Sequence, residues 1–263
     1  MKEVDRIIRN IKSVKIQGAT NIAKAAAKAY HLNPTKQTKN RLLSARPTEP
    51  TLSNVLNHLI ERGWSDKQVL DHFKESQDRI NRFVFKIIKN KSIVFTHCHS
   101  TNVGKSLVYS KMQGKKFEVF NTETRPLLQG RITARELSKA DIKVTTFIDS
   151  GLHEAIEDSD ILLLGADAIL KNGVINKIGS TIAAEIAHVH KIPFYIVADS
   201  WKYSPRNVKI EERDFKEVWK DAPKNINVKN PAFEFIPRKY IKGVISEYGI
   251  LKYPDFLRKV KNL

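Results

Sequence analysis

The chain has 263 residues, which at roughly 150 per domain predicts one or two domains, with room to bury a core without disulfides or a structural metal. Its single cysteine, Cys98, excludes an intramolecular disulfide framework and any multi-cysteine zinc module. The 46 Lys+Arg against 28 Asp+Glu leave a net charge of +18, which fits either a basic solvated surface or an anionic partner.

The first third reads as helices. Residues 2–14 carry Val4, Ile7, Ile8, Ile11 and Val14 at the i, i+3/i+4 spacing of an amphipathic helix. After Gly18 an Ala-rich helix is expected over 21–30, then a polar loop over 35–40 within a segment bounded by Pro34, Pro47 and Pro50. Two further helices are predicted over 52–62 and 66–90, the second capped by Ser65. From Lys91 short β-branched runs alternate with helical windows: strands over 92–96, 117–120, 144–148, 160–164 and 194–198, helices over 103–112, 133–139, 152–157 and 182–190. That alternation, with near-continuous apolar strands, predicts a parallel sheet covered on both faces. Asn172-Gly173 adds a two-residue hairpin signal, and the tail offers a short run at Val244-Ile245 and a final basic helix. The expected fold class is α/β, with a helical N-terminal domain over 1–90 and a Rossmann-like parallel-sheet domain over 91–263. No apolar run is long enough to span a membrane, and Met1-Lys2-Glu3-Val4-Asp5 has no apolar leader, so the expected location is the cytoplasm, with no membrane partner. No clustered basic-aromatic platform accompanies the charge, so nucleic acid is not the favoured partner.

Ligands of open parallel α/β sheets bind beyond the carboxyl ends of the strands. Those ends carry His97-Cys98-His99-Ser100, Asn121-Thr122-Glu123-Thr124-Arg125, Asp149-Ser150, Gly165-Ala166-Asp167 and Asp199-Ser200-Trp201-Lys202. Cys98 sits between a strand and the next helix, where free amides and the helix dipole favour a thiolate; the alternative is an inert, small hydrophobe. A metal site built from His97, Cys98 and His99 is disfavoured, because successive residues point to opposite faces. Gly104-Lys105-Ser106 lacks the leading glycine of a P-loop, and no G-x-G-x-x-G follows the first strand. Gly179-Ser180-Thr181, opening a helix beside Lys177, reads either as a phosphate cradle or as an ordinary capped helix. Asp167, after an all-apolar strand, is either a general acid–base with a raised pKa or a turn cap.

Several motifs in order resemble one superfamily: Gln17-Gly18-Ala19, Ser44-Ala45-Arg46-Pro47-Thr48, Glu123-Thr124-Arg125-Pro126 with Gln129-Gly130, Gly165-Ala166-Asp167, Asn176-Lys177-Ile178-Gly179 and Ile192-Pro193-Phe194-Tyr195. It comprises ribose-1,5-bisphosphate isomerases, methylthioribose-1-phosphate isomerases and the alpha, beta and delta subunits of translation initiation factor 2B. The isomerases carry a cysteine in a Thr-His-Cys-Asn-type motif and an aspartate in Gly-Ala-Asp, and Cys98 and Asp167 match both. His99 replaces the motif's Asn, Gln17 replaces an Arg, and the N-terminal region is a few helices shorter than usual. Asp199-Ser200-Trp201-Lys202-Tyr203 is similar to the bisphosphate enzymes and the regulatory subunits, and a lysine there suits a second phosphate.

The resemblance implies isomerisation of ribose 1,5-bisphosphate to ribulose 1,5-bisphosphate, as in nucleoside-monophosphate (AMP) salvage, with Cys98 taking the C2 proton and Asp167 exchanging protons with oxygen. Gln17, Gly18, Ala19, Thr20, Arg46, Gln129, Asn176, Lys177 and Lys202 would bind the anionic sugar phosphate. It further implies no metal or organic cofactor and a homodimer or homohexamer. The alternatives are a non-enzymatic regulatory subunit binding a sugar phosphate or nucleotide, or a methylthioribose-1-phosphate isomerase.

Overall fold

The structure is a computed structural model and describes residues 2–13, 15–16, 18–46, 49–210 and 212–261. Five helices come first: α1 (Lys2–Lys12), α2 (Ala19–Leu32), α3 (Lys36–Ala45), α4 (Pro50–Glu61) and α5 (Asp66–Ile87). The expected end of α1 at Val14 lies outside the described residues. The polar loop expected over 35–40 is instead the start of α3. Thr35 caps it by accepting from Thr38 N at 3.2 Å, and its apolar face, Leu42 and Ala45, closes a cluster with Val4, Ile8, Ile11, Ile22 and Leu56. Weak local propensity yields here to tertiary burial. α5 starts as predicted, with a capping box between Ser65 and Gln68.

The sheet strands are β1 (Ser92–Thr96), β2 (Phe117–Thr122), β3 (Lys143–Phe147), β4 (Ile161–Leu164), β7 (Phe194–Val197), β9 (Gly243–Ser246) and β10 (Gly249–Leu251). Among the described residues they lie in the order β10-β9-β7-β4-β1-β2-β3, parallel throughout except for β10. Helices α6 (Thr101–Met112), α7 (Gln129–Lys139), α8 (Leu152–Glu157), α9 (Ser180–Val189) and α10 (Tyr253–Val260) complete the chain. Alternate residues of each central strand feed opposite faces. Val94, Ile161, Leu163 and Val197 pack with Ile80 and Val84 of α5, Leu107 of α6 and Leu137 of α7. Phe95, Leu162, Leu164 and Ile196 pack with Ala155 of α8, Ala184 of α9 and Phe256 of α10. Burial on both faces explains the all-apolar reading of β4. Edge strand β3 is largely exposed.

A second sheet, β5 (Ala168–Ile169), β6 (Gly173–Lys177) and β8 (Phe233–Pro237), is antiparallel. The predicted hairpin is present one residue earlier than its signal. Leu170 N donates to Gly173 O at 2.8 Å, so Lys171-Asn172 turn and Gly173 already belongs to the strand. A Cβ on Gly173 would lie 2.2 Å from Ile236 O, so close strand approach, and not the turn, demands the glycine there.

The strand order sets the position of the site. From β1 the chain winds outward through β2 and β3, then crosses to β4 on the other side of β1. The crevice between β1 and β4 is therefore the topological switch point, where such sheets bind ligands. Cys98 follows β1 and Asp167 follows β4.

Candidate active site

The loop after β1 is fixed by its own backbone. Cys98 is left-handed, at φ 66°, a costly conformation for a residue with a Cβ. Its N–H donates to Thr124 Oγ1 at 3.0 Å, and Thr133 Oγ1 donates to its carbonyl at 2.9 Å. Thr124, itself at φ 61°, is held in turn by Asp149, which accepts from Thr124 N at 2.8 Å and Arg125 N at 2.6 Å. Across the crevice, a Cβ on Gly165 would stand 2.4 Å from Ser100 Oγ and 2.7 Å from its Cβ. Only glycine lets the loops after β1 and β4 pack this closely.

The histidines beside Cys98 are committed elsewhere. His97 donates through Nε2 to Ile178 O at 2.8 Å, so its Nδ1 accepts from Thr122 Oγ1 at 2.5 Å. Burial holds its pKa below the ordinary value, which keeps this neutral tautomer. His99 Nδ1 donates to Thr133 Oγ1 at 3.0 Å. With both nitrogens of His97 used, the His97–Cys98–His99 set is not assembled as a metal site. Cys98 also departs from its expectation. α6 starts at Thr101 behind a Ser100 cap that accepts from Val103 N, and the half-buried thiol is pushed up to about 12 by burial, against the charge of Lys177. Desolvation outweighs the helix dipole, and Cys98 rests as a thiol.

Asp167 is pushed up to about 6 by burial, opposed by Lys202, reinforced by Glu49, and opposed again by Arg46 and Lys177. Cys98 also feels the charges of Lys177 and Asp167, so these groups form one electrostatic unit. Lys202 Nζ donates to Glu49 Oε1 at 2.7 Å, and Arg46 Nη2 stands 3.7 Å from Glu49 Oε2. Burial works against the Lys202 ammonium, but Glu49, Asp167 and Asp199 outweigh it and raise its pKa. Behind Lys202, Asp199 is raised by burial, while Glu247 is pushed to about 7 by burial and by Asp199.

The remaining expected binding residues divide. Gln129 opens α7, where a Cβ on Gly130 would meet Thr122 O at 1.7 Å, and its Oε1 is buried with no hydrogen-bond partner among the described residues, as suits an acceptor for a substrate hydroxyl. Gly18 lies beside α6, 3.8 Å from Thr101 Oγ1 measured from an added Cβ. Ala19 and Thr20 open α2, and Gln17 lies outside the described residues. Lys177 is buried within the electrostatic unit, whereas Asn176 donates to Ser180 Oγ at 2.9 Å and so helps to form the start of α9. The phosphate-cradle reading of Gly179-Ser180-Thr181 is overturned. Thr181 N is taken by Glu234 Oε1 at 2.7 Å, and Ser180 Oγ donates to Lys177 O at 2.6 Å. A protein carboxylate occupies that helix terminus.

Sequence reasoning named Asp149 at a strand end but missed Glu49 and Glu247 as members of the site. Glu49 had one available signal, an acid three residues from Arg46 inside the Ser-Ala-Arg-Pro-Thr motif's extension. Glu247 had a signal too, its place just beyond the Val244-Ile245 run that becomes β9 (Gly243–Ser246).

Among the described residues no helix is long and apolar enough to cross a membrane. The chain is 35% identical to ribose 1,5-bisphosphate isomerase of Methanocaldococcus jannaschii, covering 95% of this chain and 93% of that one. It is 31% identical to methylthioribose-1-phosphate isomerase of Dehalococcoides mccartyi, covering 100% and 92%. The crystal structure of the Pyrococcus horikoshii OT3 translation initiation factor eIF-2B superposes with a TM-score of 0.86 at 26% identity, over 97% of this chain and 98% of that chain. The Initiation factor 2 subunit family matches residues 10–253. The mixed α/β fold, the motifs around the switch-point crevice and these likenesses agree: the chain belongs to the Initiation factor 2 subunit family, within which it resembles the ribose 1,5-bisphosphate isomerases.

Proposed function

We propose that the chain is an aldose–ketose isomerase that converts ribose 1,5-bisphosphate to ribulose 1,5-bisphosphate. The observation that carries this reading is the placement of a thiol and a carboxyl, Cys98 and Asp167, on the two sides of the switch-point crevice, where burial raises the pKa of both. Lys177, Lys202 and Arg46 supply cations for the phosphates, and Gln129 supplies an acceptor for a sugar hydroxyl. Buried cations suit a second phosphate better than an apolar methylthio group.

The isomerisation moves hydrogen from C2 to C1 in net terms. The bond between C1 and the ring oxygen breaks, and that oxygen takes a proton. C2 and its hydroxyl then each lose a proton, and C1 gains one. A thiol near 12 is no base as it stands. Cys98 therefore donates its proton to the ring oxygen, and the thiolate so formed accepts the C2 proton and returns it to C1. Asp167, mostly a carboxylate at neutral pH, accepts the C2-hydroxyl proton and passes it to Cys98, restoring both groups. Each such positioned proton transfer is worth roughly 10²–10⁴-fold in rate.

A second reading, a regulatory subunit without turnover, draws on the likeness to the P. horikoshii initiation factor structure. Incubation of the pure protein with ribose 1,5-bisphosphate separates the two. Formation of ribulose 1,5-bisphosphate supports the isomerase, and saturable binding without conversion supports the regulatory subunit. The exposed apolar residues Ile182 and Val189 on α9 support assembly into a homodimer or a larger homo-oligomer.

A further inference from the structure

Two cations of the proposed phosphate site, Lys202 and Arg46, converge in the free protein on an internal anion. Glu49 turns one carboxylate oxygen to Lys202 Nζ at 2.7 Å and leaves the other 3.7 Å from Arg46 Nη2. All three residues are buried, at 5% exposure for Glu49, 8% for Arg46 and 7% for Lys202. Position adds a second argument. Glu49 is the N-cap residue of α4, where the free amides and the helix dipole favour negative charge. Its side chain makes no capping hydrogen bond and points to the cations instead. A carboxylate that spans two cations reproduces part of what a phosphate presents to them, oxygens carrying negative charge in two directions.

We propose that Glu49 is a specificity-determining residue whose carboxylate stands in for an anionic group of the substrate between Lys202 and Arg46. The inference rests on the reading that these two cations face the substrate. An incoming group must displace the carboxylate or bind beside it. A dianionic phosphate brings more charge and more acceptors than Glu49 and competes well. A neutral hydroxylated end or a single carboxylate does not. Glu49 thus lowers affinity for every anion and lowers it least for phosphates. It competes at the effective concentration of a tethered group, so the apparent affinity for phosphate is reduced by the fraction of molecules in which the place is free.

The test measures binding of inorganic phosphate and of acetate by calorimetry to the wild type, Glu49→Gln, Lys202→Met and the double variant. Removing the competing charge should tighten phosphate roughly tenfold or more, since like charges a few ångströms apart repel strongly at protein-like permittivity. Acetate should gain by a larger factor than phosphate, and both gains should vanish in the Lys202→Met background. Added phosphate should also raise the melting temperature of Glu49→Gln more than that of the wild type, because it restores the missing anion. Equal or weaker phosphate binding by a folded Glu49→Gln protein, or binding by neither protein, overturns the proposal and leaves Glu49 as a structural partner of Lys202. If Glu49→Gln does not fold, Glu49→Asp withdraws the carboxylate from Lys202 and must show the same gain in phosphate affinity; no gain refutes it. None of these readouts requires turnover, so failure to isomerise ribose 1,5-bisphosphate would remove the enzymatic reading without altering this one.

Discussion

Asp167→Asn should stabilise the protein while it abolishes turnover, and the stabilisation should depend on pH in a defined window. Burial raises the Asp167 carboxyl from 3.8 to about 6. Between those values the native state binds more proton than the unfolded chain, so stability falls as pH rises through the window and is level above it. At 1.36 kcal/mol per pH unit the full cost of holding the carboxylate at neutral pH is roughly 2–3 kcal/mol. Asparagine is close in size and cannot ionise, so the variant escapes this cost. Urea unfolding of both proteins from pH 3.5 to pH 8 should show a difference that opens above about pH 4 and levels off above about pH 7. Whatever constant offset the amide brings, that pH-dependent part remains. A difference that does not vary with pH would refute the argument that desolvation raises the Asp167 carboxyl, and with it the basis for its acid–base role.

The other predictions concern the thiol, the lysine and the crevice. Cys98→Ser should keep the fold and lose at least about 10²-fold in kcat with little change in binding, and full activity in that variant would return Cys98 to an inert core residue. With the thiol near 12, alkylation of Cys98 should be slow at neutral pH and accelerate by roughly tenfold per unit through the alkaline range; a rate already level at pH 7 would contradict the burial argument. Lys202→Met should raise KM for ribose 1,5-bisphosphate far more than for a 5-methylthio analogue, and an equal loss on both would show that Lys202 does not read the 5-phosphate. Gly165→Ala drives a methyl group against Ser100 and should cost about 1–3 kcal/mol of stability together with activity, measured by urea unfolding and the isomerase assay; an unaffected variant would mean that the two loops can separate freely.

Much of this arrangement was legible in the sequence, and the exceptions have physical causes. β1 (Ser92–Thr96) and α8 (Leu152–Glu157) coincide with their predicted bounds, because β-branched runs and amphipathic spacing are local signals. The strand-end rule put Cys98 and Asp167 among the residues beyond the strands before any likeness to other proteins was considered; which two strand ends flank the crevice follows only from the strand order. α3 was missed because Thr38, Leu42 and Ala45 read as sporadic until the partners on α1 and α4 are present. β8 was missed because its partner, β6, lies more than fifty residues earlier in the chain. Of the two readings of Cys98, burial disfavours the thiolate, since position relative to a helix is a local property and desolvation is not. Glu49 escaped for the same reason: its role depends on Lys202, 153 residues away.

The N-terminal helices do more than cover the sheet. Lys202 ends a 3₁₀ turn, Ser200–Lys202, that is held from both sides. From the sheet side, Glu247 accepts from Ser200 N at 3.0 Å. From the helical side, Asn54 of α4 donates to Trp201 O at 2.7 Å and to Tyr203 O at 3.1 Å. Trp201, 1% exposed, stacks on His72 of α5 at 3.9 Å between ring centroids and packs edge-on to Phe73. His72 is pushed down to about 4 by burial, so the stack carries no charge at neutral pH and adds none to the acids and cations beside it. Helices α4 and α5 therefore set where the lysine stands, while Glu49 and Arg46, just ahead of α4, set the charge around it and around Asp167. Without the helical region, the sheet would present Lys202 on a turn held from one side only, with neither its anion nor the neighbouring guanidinium. Cys98 and Asp167 come from the strand ends of the parallel sheet, and much of the electrostatic setting of Asp167 comes from Arg46 and Glu49.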